Sequence, residues 1–199
     1  MHRPGHEGYG AMFPLPGRDY CGEAVHMRGA EHCSIEKNHF YAVGGNGIYL
    51  EDYNARNIIQ DNEISYAGAL GICLIGSKYL LHVPRHPVYN QVINNHIHHC
   101  GIFNKYVAGV FLGLSDGNLI GHNLIEHMPH HAVNLGNSGY GRNIVEYNEI
   151  AHTCLETFDT GAINSWMEDP QNQVKRDADR SGHVIRYNFV ADTHGCVVD

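Results

Sequence analysis

Positive charge is scarce in this chain. Its 199 residues include 13 Lys and Arg against 21 Asp and Glu, a net charge of −8 with histidine neutral. No segment gathers those basic residues into a patch, which argues against a nucleic-acid partner. Long apolar runs are also missing. The longest mainly apolar stretch without charge, Ala67 to Ser77, falls well short of the roughly 20 residues a spanning helix needs, so no membrane partner is expected. Met1-His2-Arg3-Pro4-Gly5-His6 leads into Gly- and Pro-rich sequence without the apolar core of a signal peptide. No Cys-x-x-Cys pair occurs. The six cysteines, at 21, 33, 73, 100, 154 and 196, are scattered about one per repeat. Buried free thiols beside the core and disulfides between adjacent coils both stay open.

What is present is a repeat. Asn38, Asn62, Asn95, Asn123, Asn148 and Asn188 each precede a bulky apolar residue by two positions: Phe40, Ile64, Ile97, Ile125, Ile150 and Val190. Each also follows an aliphatic residue by three: Ile35, Ile59, Val92, Ile120, Val145 and Ile185. Spacings of 24, 33, 28, 25 and 40 residues describe one unit of 24 residues with insertions, and a period in that range marks a solenoid. A second half of the unit alternates apolar residues after a small one, as in Gly47-Ile48-Tyr49-Leu50, Gly71-Ile72-Cys73-Leu74 and Gly109-Val110-Phe111-Leu112. Alternation of this kind is the pattern of a half-buried strand. Leucine-rich repeats and helical repeats would show a leucine consensus or three- and four-residue steps, and neither occurs. The expectation is an all-β, right-handed parallel β-helix of about six coils.

In such a coil an inward asparagine at each turn satisfies backbone groups and bonds its counterpart one coil away. Asn57, Asn90, Asn118 and Asn143 form a second column, five residues ahead of the first. Both ladders read as structural. Repeat structure starts near Glu31 and still runs at Gly195-Cys196-Val197-Val198-Asp199, without the polar cap a solenoid end requires. Residues 1–30 are therefore expected to be a lead-in, residues 31–199 the β-helix, and the chain a fragment of a longer protein.

Histidine is over-represented, at 17 residues. Tyr66, His99, His127, His152 and Asp192 stand four residues after successive ladder asparagines, with His98, His130 and His131 nearby. Such a column runs along one edge of the coil. It is open to three readings: a packed surface ladder, a wet groove bonding sugar hydroxyls, or a metal site. A ladder spreads its members, whereas a metal needs three or four convergent ligands, so no metal and no cofactor is expected. Insertions mark where a groove would lie: Asn95 to Gly109, Asn148 to Gly161, Gly76 to Tyr89 and Trp166 to Gly182. Per-repeat insertions collect on a binding face.

The densest chemistry is Leu155-Glu156-Thr157-Phe158-Asp159-Thr160-Gly161, next to His152 and just before Trp166, the only tryptophan. Glycoside cleavage needs two carboxyl groups across a cleft, one protonating the leaving oxygen while the other activates water or attacks the anomeric carbon. Carboxylates that merely cap a turn are the alternative for Glu156 and Asp159.

From Gly22 to Asp199 the chain resembles the β-helix region of bacterial proteins of glycoside hydrolase family 141, associated with α-L-fucosidase and xylanase activities. The matching stretches include Ala24-Val25-His26-Met27-Arg28-Gly29-Ala30, Asn95-His96-Ile97-His98-His99-Cys100-Gly101, Val145-Glu146-Tyr147-Asn148-Glu149-Ile150 and Cys196-Val197-Val198-Asp199. The resemblance implies a catalytic pair of aspartates on neighbouring coils at Asp159 and Asp199, each eleven residues after a ladder asparagine, with Glu156 in reserve. It implies a polysaccharide or oligosaccharide substrate of plant or algal origin. His99, His127, His131 and His152 would line the subsites, and Trp166 would face a sugar ring. A protein of that kind is expected to be secreted or periplasmic. A polysaccharide lyase on the same fold and a non-catalytic glycan-binding β-helix are the rival readings. No oligomeric state is written in the sequence.

Overall fold

The computed structural model describes residues 22–76, 86–136, 141–158, 161–166 and 182–195. These residues form strands and turns without a helix, and so none long and apolar enough to cross a membrane. Each coil contributes one strand to each of three parallel sheets, as the repeat predicts. Sheet one stacks β1 (Val25–Glu31), β4 (Ile48–Ala55), β7 (Ile72–Ile75), β11 (Ala108–Gly113), β14 (His131–Gly136) and β17 (Ile163–Trp166), with the short β8 (Pro87–Val88) beside β4. Sheet two stacks β2 (Ser34–Glu36), β5 (Ile58–Gln60), β9 (Gln91–Ile93), β12 (Leu119–Gly121), β15 (Ile144–Glu146) and β18 (Val184–Arg186). Sheet three stacks β3 (His39–Tyr41), β6 (Glu63–Ser65), β10 (His96–His98), β13 (Leu124–Glu126), β16 (Glu149–Thr153) and β19 (Phe189–Thr193).

Register follows the repeat residue for residue. Phe40, Ile64, Ile97, Ile125, Ile150 and Val190 pair in one row of sheet three. Ile35, Ile59, Val92, Ile120, Val145 and Ile185 pair in one row of sheet two. Ile48, Ile72, Val110, Val133 and Ile163 do so in sheet one. These inward rows meet in a single core that is wholly buried through the middle coils. In the coil of β18 and β19 the same rows are half open, with Ile185 48% and Val190 45% exposed.

Both asparagine ladders are continuous. From Asn38 to Asn188 each Nδ2 donates to the next Oδ1 at 2.8–3.0 Å, and each backbone N–H donates to the same oxygen. The ladder of Asn57, Asn90, Asn118 and Asn143 repeats the arrangement at 2.9–3.0 Å. At its two ends stand Cys33, whose N–H donates to Asn57, and His183, whose ring nitrogen lies 3.5 Å from Asn143. Immediately before the ladder asparagines sit left-handed residues, among them Lys37, Asp61, Asn94, His122, Tyr147 and Tyr187, with φ of 53–57°. A side chain in that region costs about 1–2 kcal/mol. The ladder offsets the cost by bonding backbone that the sharp turn would otherwise leave buried and unpaired.

Chains enter sheet one through small residues because coils approach closely there. A Cβ on Gly71 would come within 2.5 Å of the Gly109 carbonyl and 2.6 Å of Ile97. Among the described cysteines, Cys73 and Cys100 are buried free thiols, Cys33 is an exposed one, and Cys154 is buried. Burial pushes the Cys100 thiol up to about 12.

Candidate functional site

Two insertions lie on the turn that brings the chain in from sheet three, at 101–107 and from 154 on. The two that follow β7 and β17 in the sequence lie mostly outside the described residues. The first folds back onto the coil before it: the amides of Phe103 and Asn104 donate to the Gly68 carbonyl at 2.9 and 3.0 Å, and Gly101 donates to Ala67 at 2.8 Å. Gly68 tolerates no side chain, since a Cβ would strike the Gly44 carbonyl and the Phe103 ring. Lys105 Nζ then reaches Glu156 Oε1 at 2.9 Å, tying the two insertions of this margin together. Glu156 is exposed, and Lys105 is its charged partner.

Behind Glu156 the margin rests on two buried imidazoles. His130 and His131 are fully buried, with ring centroids 3.7 Å apart. Thr157 Oγ1 donates to the Pro129 carbonyl at 2.9 Å and therefore accepts from His130 Nδ1 at 2.6 Å. That fixes the proton of His130 on Nδ1 and leaves Nε2 as a buried nitrogen without a hydrogen bond. Burial, with His131 adding to it, pushes the His130 imidazole down to about 3, so it stays neutral. His131 donates from Nδ1 to the Gly161 carbonyl at 2.7 Å, and its Nε2 accepts from Asn164 at 3.1 Å. The pair holds the Glu156 segment against β14. The Tyr106 ring stands edge-on to His130 at 5.2 Å, 39% exposed.

The four-residue offset does place Tyr66, His99, His127 and His152 in one column, at the corner where sheet three ends. All four sit at φ of 50–56°, and the shared backbone conformation aligns their rings. Centroids are 5.0, 4.6 and 4.7 Å apart, and His99 and His127 lie 6° from parallel. Asp192 Oδ2 closes the column 3.6 Å from His152 Nδ1. Stacked rings spend their faces on each other and present edges, so this column offers hydrogen-bonding nitrogens and a hydroxyl rather than flat apolar faces. Burial, followed by the neighbouring His127 and His98, lowers His99 below the ordinary imidazole value.

Beside the column, the outer face of sheet three carries residues that the repeat pattern did not single out. Outward positions lie one and three residues after each ladder asparagine, and there stand His39, Glu63, His96, His98 and Glu126. His96 Nε2 lies 2.9 Å from Glu126 Oε1, and His98 Nε2 lies 3.4 Å from Glu63 Oε1. Burial alone would raise the Glu126 carboxyl, but its bond to His96 and the neighbouring imidazoles His127 and His98 hold it below the ordinary carboxylate value. One donor atom each from Glu63, His96 and His98 lies within 4.8 Å of the others. The H-x-H of β10 was the available signal.

Asp159 and Asp199 lie outside the described residues. Trp166 ends β17 in register with Gly136, and its side chain is likewise outside them. His131 is separated from the ring column: it lies at the head of β14, behind Glu156.

The profile described as the right handed beta helix region matches residues 23–168, and the chain belongs to that family. Comparison with curated proteins finds no match. Among solved structures, the chain is similar to full-length tailspike protein 2 of Escherichia coli O157:H7 bacteriophage CAB120, with a TM-score of 0.53 and 8% identity over 84% of this chain. It is also similar to the enzymatically active domain of tailspike protein 2 from bacteriophage CBA120, with a TM-score of 0.47 and 9% identity over 84% of this chain. It spans 24% and 27% of those two chains. At that identity the likeness concerns the fold.

Proposed function

We propose that this β-helix belongs to a glycoside hydrolase acting on a plant or algal polysaccharide, with the glycan lying along the helix axis past the margin where sheet three turns into sheet one. The observation that carries the reading is the Glu156 segment. An exposed carboxylate stands on a margin built from two tied insertions, held from behind by Thr157, His130 and His131. Asp159 follows three residues later in the sequence, and Asp199 is its match one coil on. One of the two carboxyl groups protonates the leaving oxygen, and the other activates water or attacks the anomeric carbon, with Glu156 in reserve. A separation of about 5–5.5 Å would make the enzyme retaining, and about 6.5–9.5 Å inverting. The edges of His99, His127 and His152, one per coil at about 4.8 Å spacing, suit the hydroxyl groups of a chain running past them. Trp166 offers a ring to a sugar face. The protein would act outside the cytoplasm, secreted or periplasmic.

One observation favours a second reading. A lyase uses a basic group to take the proton beside a uronate carboxylate, and Lys105 stands at this same margin. Arg142 and Arg186 are committed elsewhere, to Asp116 and Glu146. The test is turnover of aryl glycosides and a plant polysaccharide panel by the wild type and by Asp159→Asn. New reducing ends that vanish in the variant support hydrolysis through Asp159. Unsaturated products absorbing in the ultraviolet would establish the lyase. Binding without turnover, unchanged by the substitution, would leave a glycan-binding scaffold.

A further inference from the structure

We propose that Glu63, His96 and His98 form a binding site for one divalent transition-metal ion of the zinc class on the outer face of sheet three. The site is separate from the carboxylates assigned to glycan cleavage.

Strand geometry brings the ligands together. Successive side chains of β10 alternate between faces, so His96 and His98 share the outer face while Ile97 fills the core. Their rings lie 4.2 Å apart. Glu63 pairs in register with His96 from the adjacent strand β6 and reaches diagonally to His98 Nε2. The three donor atoms lie within 4.8 Å of one another. Zinc–ligand bonds of about 2.0–2.2 Å require donors somewhat closer than that, a contraction within reach of side-chain rotation. The carriers themselves are fixed, since Glu63 follows Asn62 and His96 follows Asn95, and those asparagines are joined at 3.0 Å. Backbone strain therefore need not accompany closure.

Outer contacts complete the arrangement. Ligating imidazoles ordinarily donate their second nitrogen to a fixed acceptor, which sets the tautomer. His98 has this arrangement, with Nε2 toward Glu63 and Nδ1 2.8 Å from His99 Nδ1. Donation from His98 Nδ1 to His99 leaves the His98 Nε2 lone pair free for the metal. Glu126, 2.9 Å from His96, serves as a fourth donor or as the acceptor that orients that ring. Two imidazoles and a carboxylate suit zinc, cobalt, nickel or copper, whereas calcium and magnesium prefer all-oxygen sets. Held this way, the ion would clip β6 to β10 across two coils and keep a position open to solvent.

The test is a titration of the chelator-stripped, untagged full chain with Co²⁺, read by visible absorption, followed by displacement with Zn²⁺. One equivalent with the intense absorption of four-coordinate cobalt is expected. Glu63→Gln and the double variant His96→Ala/His98→Ala should each weaken binding at least tenfold. His99→Phe should weaken it about tenfold through the lost outer contact. His122→Ala, an exposed histidine away from sheet three's outer face, should bind as the wild type does. Circular dichroism of every variant establishes that it is folded. Absence of the four-coordinate signal, or affinity that falls equally in His122→Ala, would overturn the proposal.

Discussion

Sheets one and three share the same inward grammar and have opposite outer faces. The outward row of sheet one, Tyr49, Cys73, Phe111 and Asn134, is 7%, 0%, 1% and 1% exposed. The outward row of sheet three, with His39, Glu63 and His96, is open to solvent. Facing outward in a solenoid is therefore not the same as being exposed. Local alternation decides which way a side chain points, whereas coverage depends on what lies beyond the repeat. Phe111 behaves as a second core, its ring beside Gly113 and Gly136, where a Cβ would meet it at 2.9 and 3.1 Å. On sheet three charged and imidazole side chains contact one another instead.

The largest effect should come from breaking what the two faces share. Asn123 accepts from the backbone and side chain of Asn95 and donates to Val92 and Asn148. Asn123→Ala strands buried partners in the coils on both sides of it and should cost about 4 kcal/mol in urea unfolding. The next substitution sharpens the contrast. Phe111→Ala should cost about 3 kcal/mol, as in a core, although the residue points away from the axis. A loss below about 1 kcal/mol would mean the outer face of sheet one is not packed as described.

Acid provides the third probe. His130 is held neutral in the fold, to about 3, while an unfolded histidine titrates near 6.5. The unfolded state therefore binds more protons as pH falls from 6.5 toward 3. The contribution is complete above 6.5 and declines by up to about 1.4 kcal/mol per pH unit within that window. His130→Gln should flatten that slope in melts between pH 7 and 4. The smallest effect belongs to sheet three: without added metal, His96→Ala should change stability by no more than about 0.5 kcal/mol.

The sequence displays the shared grammar almost completely, because it is periodic. Asn62, Ile59 and Ile64 recur in kind in every coil, and each recurrence becomes a register pair or a ladder rung. The ring column was legible for the same reason, since one backbone conformation four residues after each asparagine aligns Tyr66, His99 and His127. Non-periodic features were not legible. The Lys105–Glu156 pair joins insertions of coils that are not adjacent, and no spacing announces it. Nor does any spacing announce the diagonal reach of His98 to Glu63, because a one-per-coil argument treats histidines as spread out and overlooks two in one strand. His131 carried no sign that it would be enclosed behind Glu156 rather than stand with His127.

The most direct test of the glycan-binding assignment is hydrogen–deuterium exchange of the chain with and without polysaccharide fragments from the panel. Binding at this margin predicts slowed exchange in the two insertions around Lys105 and Glu156, with the strands of sheet two unchanged. Slowing confined to sheet two, or none at saturating fragment, would contradict the placement of the glycan.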